Sequence, residues 1–409
     1  MKSNFFKLGL LSAVLISSLF TACKDKEEDT PPPATENVLE GTIPSQTLDA
    51  SKKYIIRGIV TVADGSTLTI PAGTVLIGEK KSKGTLVVRP GGKLIAEGTA
   101  SQPIIFTSNQ APGEREQGDW GGLVILGKAN VNQNNPAIEG ITPAANYGTF
   151  NSSANDADNS GVLKYVRIEY AGIALTPNNE TNGLTLGAVG NGTVVDYVQV
   201  TYGGDDAFEW FGGTVNCSHL VALATWDDDF DADFGFSGKV QFALSIRDPF
   251  NADQSGSNGF EVDNDASGST ATPKTAAVFS NVTLLGPVYD SAKASFNANY
   301  QHAAHLRRNC EVSILNSVIV GFPIGINLDG TLANYTSGSG VLDKNIFVCS
   351  AVKGRAARPF FAGSSASTSV ADYFNTTMSN TTYTASTPST GYSKAIADAG
   401  VNPNLIMGY

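Results

Sequence analysis

The chain contains 409 residues and has a formal net charge of −11 at pH 7, from 27 Lys and Arg against 38 Asp and Glu. This acidic balance argues against nucleic acid and anionic lipid headgroups as partners, because polyanions repel an acidic surface. Only three histidines are present, and they provide no zinc-binding constellation.

Residues 1–22 have the layout of a secretory signal peptide. Two lysines precede an apolar run that is short for a membrane span, and small residues lead into Cys23. This junction resembles a bacterial lipobox, which implies that Cys23 becomes the lipid-modified N-terminus and anchors the chain to a membrane. An ordinary signal peptide followed by a chance cysteine is the alternative. Loss of Lys2 and Lys7 with the signal leaves 25 basic and 38 acidic residues, a charge of −13.

The segment after Cys23 reads KDKEEDTPPPATEN and is charged, then proline-rich. It contains nothing to bury, so residues 23–37 are predicted to form a disordered tether. An acidic run directly behind the lipidated cysteine resembles the surface-export signal of lipoproteins from the Bacteroidota. This resemblance implies a lipid-anchored protein of the outer membrane, exposed at the cell surface. A plain solvated linker is the alternative.

From residue 38 onward the sequence is rich in Gly, Val, Thr and Asn. Short apolar segments are separated by Gly, Pro and Asp at regular distances, which is typical of successive short strands. YVRIEYAG at 165–172 recurs as YVQVTYGG at 197–204. A period of roughly 20–30 residues indicates a solenoid.

A five-residue unit with apolar residues at its second and fourth positions shows the period directly. Its copies are GLTLG (183–187), AFEWF (207–211), DFDAD (229–233), GFEVD (259–263), SFNAN (295–299) and GINLD (325–329). Strand alternation directs the second and fourth positions inward, which predicts two stacked core ladders. The first ladder is Leu184, Phe208, Phe230, Phe260, Phe296 and Ile326. The second is Leu186, Trp210, Ala232, Val262, Ala298 and Leu328. The predicted fold is an all-β parallel β-helix of roughly 11–14 coils at ~28 residues each.

Three motifs support a family resemblance. They are GDWGGLVILGKA (118–129), GVLKYVRIEYAG (161–172) and GGDDAFEWFGG (203–213). The chain resembles the pectin-lyase-like superfamily and, more narrowly, a group of Bacteroidota surface lipoproteins with a β-helix. The resemblance implies a right-handed parallel β-helix over residues 38–409, with a C-terminal cap from about residue 355. It selects no activity, because this superfamily contains lyases, hydrolases, adhesins and inert scaffolds.

The same alternation predicts outward columns that are rich in acids. The third positions are Thr185, Glu209, Asp231, Glu261, Asn297 and Asn327, and the fifth are Gly187, Phe211, Asp233, Asp263, Asn299 and Asp329. Asp205 and Asp206 align with Asp227 and Asp228, and Asp248 is expected to continue that row. Within TWDDDFDADFG (225–235), Asp229, Asp231 and Asp233 are expected to face outward.

Stacked carboxylates repel one another, by about 1 kcal/mol at ~4 Å in water and about 4 kcal/mol at an effective dielectric constant of 20. A divalent cation relieves this repulsion, and Ca²⁺ suits ligands that are all oxygen. A calcium site shared between coils is therefore predicted, with fully solvated acids as the alternative. The candidate ligands are Asp205, Asp206, Asp227, Asp228, Asp229, Asp231, Asp233, Glu209, Glu261 and Asp263.

Paired acids also suggest glycan chemistry. GGDDAFEW is similar to the Asp-Asp motif of polygalacturonases, which Asp205 and Asp206 match, but the Gly-His-Gly and Arg-x-Lys motifs of that family are missing. A calcium-dependent lyase needs a basic residue, and HAAHLRRNC (302–310) supplies His302, His305 and two arginines. The catalytic candidates of this alternative are Asp206, Asp228, His305 and Arg307.

Binding candidates are an arginine pair and several aromatics. Arg307 and Arg308 can bind acidic sugars bidentately, or they can neutralise nearby acids. Trp226 and Phe211 are the candidate sugar platform, with Tyr202 and Tyr300 also expected near the acidic face. Core stacking is the alternative for all four aromatics.

Two small features complete the sequence. Cys310 and Cys349 allow a disulfide, although apolar core cysteines are the favoured interpretation. The tripeptide DSA at 290–292 resembles the O-glycosylation site of the Bacteroidota.

The sequence thus predicts a lipid-anchored, non-catalytic binding or scaffold module for a glycan or a surface protein. A lyase or hydrolase that acts on acidic glycans is the alternative.

Overall fold

The computed structural model describes residues 37–176, 179–288, 295–349, 358–361 and 376–384. The predicted signal peptide, Cys23, the tether before residue 37 and the DSA tripeptide lie outside these residues, as does most of the predicted cap. All described residues belong to one compact unit, residues 36–409. No helix within these ranges is long and apolar enough to cross a membrane.

The described chain is almost entirely short strands. The first thirteen are β1 (Asn37–Ile43), β2 (Gln46–Thr47), β3 (Lys53–Val62), β4 (Thr67–Ile70), β5 (Val75–Gly78), β6 (Thr85–Val88), β7 (Lys93–Glu97), β8 (Ile104–Ser108), β9 (Leu123–Leu126), β10 (Asn130–Val131), β11 (Ala137–Ile138), β12 (Ala145–Asn146) and β13 (Thr149–Phe150). The next twelve are β14 (Gly161–Glu169), β15 (Ala174–Thr176), β16 (Asn179–Glu180), β17 (Leu184–Gly187), β18 (Val194–Thr201), β19 (Phe208–Phe211), β20 (Asn216–Ser218), β21 (Val221–Leu223), β22 (Phe230–Asp233), β23 (Lys239–Gln241), β24 (Leu244–Ile246) and β25 (Phe260–Val262). The last ten are β26 (Val278–Ser280), β27 (Thr283–Leu285), β28 (His302–Arg307), β29 (Ser313–Leu315), β30 (Val318–Val320), β31 (Ile324–Asp329), β32 (Leu342–Asp343), β33 (Ile346–Cys349), β34 (Arg358–Phe361) and β35 (Thr381–Thr384). A 3-10 helix (Ser153–Asn155) and one short α-helix, α1 (Leu332–Thr336), lie between them.

Each coil carries three strand segments, and equivalent segments stack into three parallel faces. The first face consists of the ends of β1 and β3, then β6, β9, β17, β19, β22, β25, β28, β31 and β34. The second consists of β2, β4, β7, the starts of β14 and β18, then β20, β23, β26, β29 and β32. The third consists of the starts of β1 and β3, then β5, β8, the ends of β14 and β18, β21, β24, β27, β30, β33 and β35.

These faces join 29 of the described strands into one continuous sheet. The predicted all-β, right-handed parallel β-helix is therefore confirmed. Within the described ranges, eleven strand segments follow one another on the first face from β1 to β34, which agrees with the lower end of the roughly 11–14 coils predicted from the repeat length.

Interior side chains stack from coil to coil in the predicted register. On the first face Leu184 pairs with Phe208, and Phe208 pairs with Phe230. Phe230 in turn pairs with Phe260, and their ring centroids are 5.4 Å apart. All four side chains are fully buried. Each such burial contributes about 1.5–3 kcal/mol, so this confirmed ladder holds the first face in place.

One copy of the repeat is assigned wrongly by the sequence pattern. Phe260 pairs with Ala304 and Val262 pairs with Leu306, so the next coil is β28 and not SFNAN. The predicted ladder members Phe296 and Ala298 are therefore wrong. The cause is a long connection after β27, which delays the next coil beyond the expected spacing. His305 takes the third position that the pattern gave to Asn297.

A row of stacked aromatic side chains lines the corner between the second and third faces. Tyr165, Tyr197, His219 and Phe242 each adopt a positive φ, between 50° and 60°. Successive ring centroids lie 4.5, 4.1 and 5.3 Å apart in stacked geometry. Stacking of this kind contributes about 0.5–1.5 kcal/mol per pair, which offsets the strain of the left-handed corner. The ring faces cover one another, so this row stabilises the packing of successive coils at the corner.

The disulfide that the sequence allowed between Cys310 and Cys349 is not formed. Cys310 is a free thiol, fully buried in the core, with its Sγ 3.8 Å from the Tyr335 hydroxyl. Burial raises the pKa of Cys310 to about 12. The favoured interpretation of a core cysteine is correct for this residue.

Candidate functional site

A row of hydrogen bonds fixes the acids that lie just before the strands of the first face. The backbone N–H of Asp228 donates to Asp206 Oδ1 at 2.8 Å. The N–H of Asn258 donates in turn to Asp228 Oδ1, and the N–H of His302 donates to Asn258 Oδ1 at 3.1 Å. The prediction that Asp248 continues this row is wrong. Asp248 lies in the longer connection before β25, where it accepts from the N–H of Phe250 at 2.8 Å.

The third positions of the first face form the predicted acidic column. Glu209 pairs with Asp231, and Asp231 pairs with Glu261. The column continues with His305 and Asn327. Because the strands run parallel and in register, these carboxylates project from adjacent coils toward the same side.

The two rows together form a carboxylate cluster. Its acids fall into three groups, each with oxygen atoms within 4.8 Å of one another: Asp205, Asp206 and Asp227; Asp206, Glu209 and Asp231; and Asp228, Asp231 and Glu261. Asp206 is shared by the first two groups and Asp231 by the last two. Seven of the ten candidate ligands are thus brought together, and the term carboxylate cluster refers to these seven residues.

Burial makes ionisation of this cluster costly. Asp206 and Asp228 are 7 % and 3 % exposed. Desolvation, followed by the charge of Asp205, raises the pKa of Asp206 well above its usual range. Desolvation, followed by the charge of Asp227, does the same for the pKa of Asp228. Asp231 has a strongly raised pKa for the same reasons, with Glu209 as its first charged neighbour.

Most of the cluster has no basic partner. In the described part of the chain, no Lys, Arg or His forms an ion pair with any acid of the first two groups or with Asp228. Burial also raises the pKa of Asp227 to about 6. Its Oδ2 accepts from Ser255 Oγ at 2.8 Å, while its buried Oδ1 has no hydrogen-bond partner among the described residues. Close, buried and unpaired carboxylates require shared protons or a bound cation.

Asp229 does not belong to this cluster. The prediction that it faces outward is wrong, because it is fully buried and pairs with Arg247 at 2.9 Å. Asp229 lies at the corner just before β22, where strand alternation does not yet set the direction of the side chain. Arg247 also donates to Thr225 Oγ1 at 3.1 Å and to the carbonyl of Asp227. The buried arginine therefore stabilises the corner of the coil that contains Asp227.

The other two candidate ligands lie at the end of the first face. Desolvation, followed by the charge of Asp263, raises the pKa of Asp233 to about 8, and its Oδ1 accepts from the N–H of Phe234 at 3.0 Å. Asp263 accepts from Arg307 Nε at 2.8 Å and from Arg308 Nη1 at 2.6 Å. Neither acid is a member of the three close groups.

The basic candidates lie beside Glu261 and not beside the catalytic aspartates of the alternative hypothesis. Arg307 pairs with Glu261, and His305 Nδ1 lies 3.6 Å from Glu261 Oε2. His305 Nε2 lies 3.7 Å from Asp329 Oδ2. Within the described residues, neither His305 nor Arg307 forms an ion pair or hydrogen bond with Asp206 or Asp228. The arginines thus neutralise acids, which is the alternative that the sequence left open.

A groove of about 940 Å³ runs beside the cluster. Its charged lining consists of Glu180, Asp205, Asp227 and Asp253, and Trp226, which is 41 % exposed, also lines it. We call this cavity the acidic groove. Asp205 and Asp227 belong to both the groove and the cluster, so a ligand in the groove lies directly against the cluster.

The other aromatic candidates do not line this groove. Phe211 packs against Tyr147, with ring centroids 6.3 Å apart, at a smaller cavity of about 350 Å³. Tyr300 is buried, so it cannot serve as part of a sugar platform, and its hydroxyl lies 2.6 Å from the carbonyl oxygens of Asp248 and Asn251, to one of which it donates. Tyr202 is exposed and stacks on Tyr170 at 5.5 Å.

Several residues of the site were missed by sequence reasoning. Glu180 lies in the short antiparallel pair of β15 and β16, outside the repeat. Asp253 and Asn258 lie in the irregular loop before β25. Arg247 follows β24 and gave no signal beyond its charge. Asp206 and Asp228 each lie two residues before the first buried aromatic of their repeat, and Asn258 lies two residues before Phe260. This spacing could have identified Asn258 as the next member of the row.

The fold and the groove define a right-handed parallel β-helix with a buried acidic site on one face. The chain belongs to the family described as the pectate-lyase like beta helix domain, whose model matches residues 41–396. No curated protein matches the sequence.

Two solved structures are similar at 13 % identity. The crystal structure of the Agl-KA catalytic domain gives a TM-score of 0.39, covering 84 % of this chain and 61 % of that one. The catalytic domain of a GH87 alpha-1,3-glucanase in complex with tetrasaccharides gives a TM-score of 0.26, covering 79 % of this chain and 68 % of that one. The chain thus spans about three fifths of the Agl-KA domain. These scores are too low to carry information on activity or substrate.

Proposed function

We propose that the protein is a non-catalytic, calcium-binding β-helix that holds a glycan in the acidic groove at the bacterial cell surface. The observation that carries this proposal is the carboxylate cluster, in which buried and half-buried acids of adjacent coils lie together and, among the described residues, only Glu261 forms ion pairs with basic side chains. Such a cluster is unstable when ionised. A divalent cation removes the repulsion and adds its binding free energy to the stability of the fold.

Calcium is the cation that the ligand chemistry supports best. Its oxygen ligands lie about 2.3–2.6 Å from the ion, so two ligands of one ion are up to about 5 Å apart. The groups in the cluster, with oxygens within 4.8 Å of one another, have this spacing. The backbone hydrogen bonds to Asp206 and Asp228 hold each carboxylate in place and leave its second oxygen for an ion.

Calcium titration of the metal-free protein tests this proposal. Isothermal titration calorimetry is expected to detect at least one bound ion per chain. Asp231→Asn removes a carboxylate that two groups share, so it is expected to weaken binding by about tenfold or more. Asp343→Asn, on the second face, is the control and should bind as the wild type does. Absence of calcium binding to the wild type refutes the proposal.

The glycan part of the proposal rests on the groove. An exposed tryptophan beside carboxylates and amides is a typical sugar-binding surface, because the ring stacks on a sugar face while polar groups accept from its hydroxyls. Trp226 is the platform of this surface. Phe211 contributes less, because Tyr147 and Phe234 pack against its ring. A surface protein is the alternative partner, and a glycan-binding panel separates the two.

The membrane location is proposed from Cys23 and the acidic run behind it. Metabolic labelling with an alkynyl fatty acid is expected to mark the wild type and not Cys23→Ser. Protease treatment of intact cells is expected to remove the wild-type protein, as the surface location requires. Labelling that persists in Cys23→Ser contradicts the anchor.

Glycoside hydrolysis is the second candidate function. The observation that favours it is the raised pKa of Asp206 and Asp228, because a carboxyl that stays protonated near neutral pH can act as a general acid. A lyase is favoured less, since His305 and Arg307 are held by Glu261 and its neighbours. Release of reducing ends from a polysaccharide, abolished by Asp228→Asn, would establish hydrolysis and overturn the non-catalytic proposal.

A further inference from the structure

The lining of the acidic groove carries one sign of charge. Its four charged residues are carboxylates, Glu180, Asp205, Asp227 and Asp253, and no Lys, Arg or His occurs among the described lining residues. The other polar side chains that line it are neutral: Gln117, Gln254, Ser255 and Asn299. An anionic ligand therefore meets repulsion and no compensating cation along the whole groove.

The arginines that could recognise an acidic sugar are engaged elsewhere. Arg307 pairs with Glu261 and Asp263, and Arg308 pairs with Asp263. Neither arginine lines the groove. The two guanidinium groups are thus already paired with carboxylates of the protein itself and do not offer bidentate contacts to an acidic sugar.

A bound cation changes this charge only in part. A divalent ion held by Asp205, Asp206 and Asp227 leaves Asp253 and Glu180 unpaired on the groove walls. The wall formed by Asp253 is well fixed, because Asp253 Oδ2 accepts from the N–H of Ser255 at 2.7 Å. The groove therefore remains negative with its cation bound.

The same lining suits sugar hydroxyls. Carboxylate and amide oxygens accept hydrogen bonds from hydroxyl donors, and Asp253, Gln254 and Asn299 supply such oxygens to the groove lining. Trp226 supplies an apolar face at the same cavity. We propose that the acidic groove binds a glycan chain without carboxylate or sulfate groups. This inference rests on the proposed glycan-binding function and specifies its ligand class.

A binding panel with matched ligands tests the inference. The full-length mature protein is incubated with insoluble or immobilised glucans of α and β linkage, xylan, mannan, galactan, pectate, alginate and hyaluronan, with calcium and with EDTA. At least one non-acidic glycan is expected to retain the protein, and the acidic chains are expected not to. Oxidation of the primary alcohols of the retained glycan to carboxylates is expected to weaken binding by about tenfold or more.

Variants locate the binding to the groove. Trp226→Ala is expected to lower affinity by about tenfold, as for an aromatic anchor. Phe250→Ala is the control, because Phe250 is 66 % exposed and does not line the groove. Tighter binding of an acidic glycan, equal binding after oxidation, or retention by no uncharged glycan overturns the inference.

The experiments distinguish a wrong ligand class from a wrong calcium proposal. Binding of a neutral glycan without any calcium binding refutes the cation proposal and supports the ligand class. Calcium binding together with calcium-dependent retention on pectate or alginate supports the cation and refutes the ligand class.

Discussion

Two sets of acidic side chains on neighbouring coils differ in what surrounds their charge. Asp229 and Asp263 each pair with arginine, at 2.9 and 2.6 Å. Asp206 and Asp228 are as deeply buried, yet each has carboxylate oxygens of other acids within 4.8 Å and no ion pair with a basic side chain of the described chain. The paired acids are parts of the framework. The unpaired acids cost the folded protein free energy, which identifies them as the part that a ligand completes.

The largest expected effect tests the paired set. Arg247→Met leaves Asp229 buried without a cation, so the free energy of unfolding is expected to fall by about 3–5 kcal/mol. Chemical denaturation measures this change. Arg308→Met is the control, since its side chain is 43 % exposed and its loss is expected to cost about 1 kcal/mol or less. Equal effects of the two variants would contradict the difference in burial.

The pH dependence of stability sharpens the comparison. Burial raises the pKa of Asp227 to about 6 and that of Asp233 to about 8. At these two acids the folded protein holds protons that the unfolded chain has lost between about pH 4 and pH 8, so their contribution makes stability fall as pH rises through this window. Burial lowers the pKa of His302 to about 3, which acts in the opposite direction below about pH 6.5, but it is one group against the several raised acids of the cluster. A shift of two pKa units corresponds to on the order of 3 kcal/mol.

Thermal melting in EDTA across this pH range measures the effect. Acids with lowered pKa act in the opposite direction only at lower pH, as for Asp265, whose serine hydrogen bonds help to lower its pKa to about 2. Calcium is expected to reduce the dependence of the melting temperature on pH, because the bound ion replaces the protons on the clustered carboxylates. A stability that rises steadily from pH 4 to pH 8 in EDTA would contradict the account.

Neutral substitutions in the two sets are expected to have opposite signs. Asp228→Asn removes one charge from the unpaired set but keeps the oxygen that accepts from Asn258. In EDTA it is expected to stabilise the protein by about 1–2 kcal/mol. Asp263→Asn removes the partner of two arginines and is expected to destabilise by about 1–3 kcal/mol. The urea midpoints of unfolding measure both stability changes. Changes of the same sign in the two variants would contradict the difference between the paired and the unpaired acids.

The smallest expected effect concerns the rim of the groove. Trp226→Ala removes an exposed ring, so its unfolding free energy is expected to change by about 0.5 kcal/mol or less. The same urea measurements check this. A loss above about 2 kcal/mol would mean that Trp226 supports the fold and is not free for a ligand.

Alternation within strands allowed the column of Glu209, Asp231 and Glu261 to be predicted, because direction along a strand follows from position alone. It failed at Asp229, which lies at a corner. It also assigned SFNAN to a coil that β28 occupies, because the length of a connection is not set by the repeat. Glu180, Asp253 and Arg247 lie outside the repeated unit, so the groove could not be foreseen.

The calcium dependence of thermal stability tests the central claim most directly. The melting temperature of the wild type is measured in EDTA and in excess calcium, beside the double variant Asp206→Asn with Asp231→Asn and the single variant Asp263→Asn. The wild type and Asp263→Asn are expected to gain about 2.7 kcal/mol at a hundredfold excess over the dissociation constant, and to melt several degrees higher. The double variant is expected to show no shift. Equal melting temperatures of the wild type in calcium and in EDTA would contradict a cation site in the carboxylate cluster.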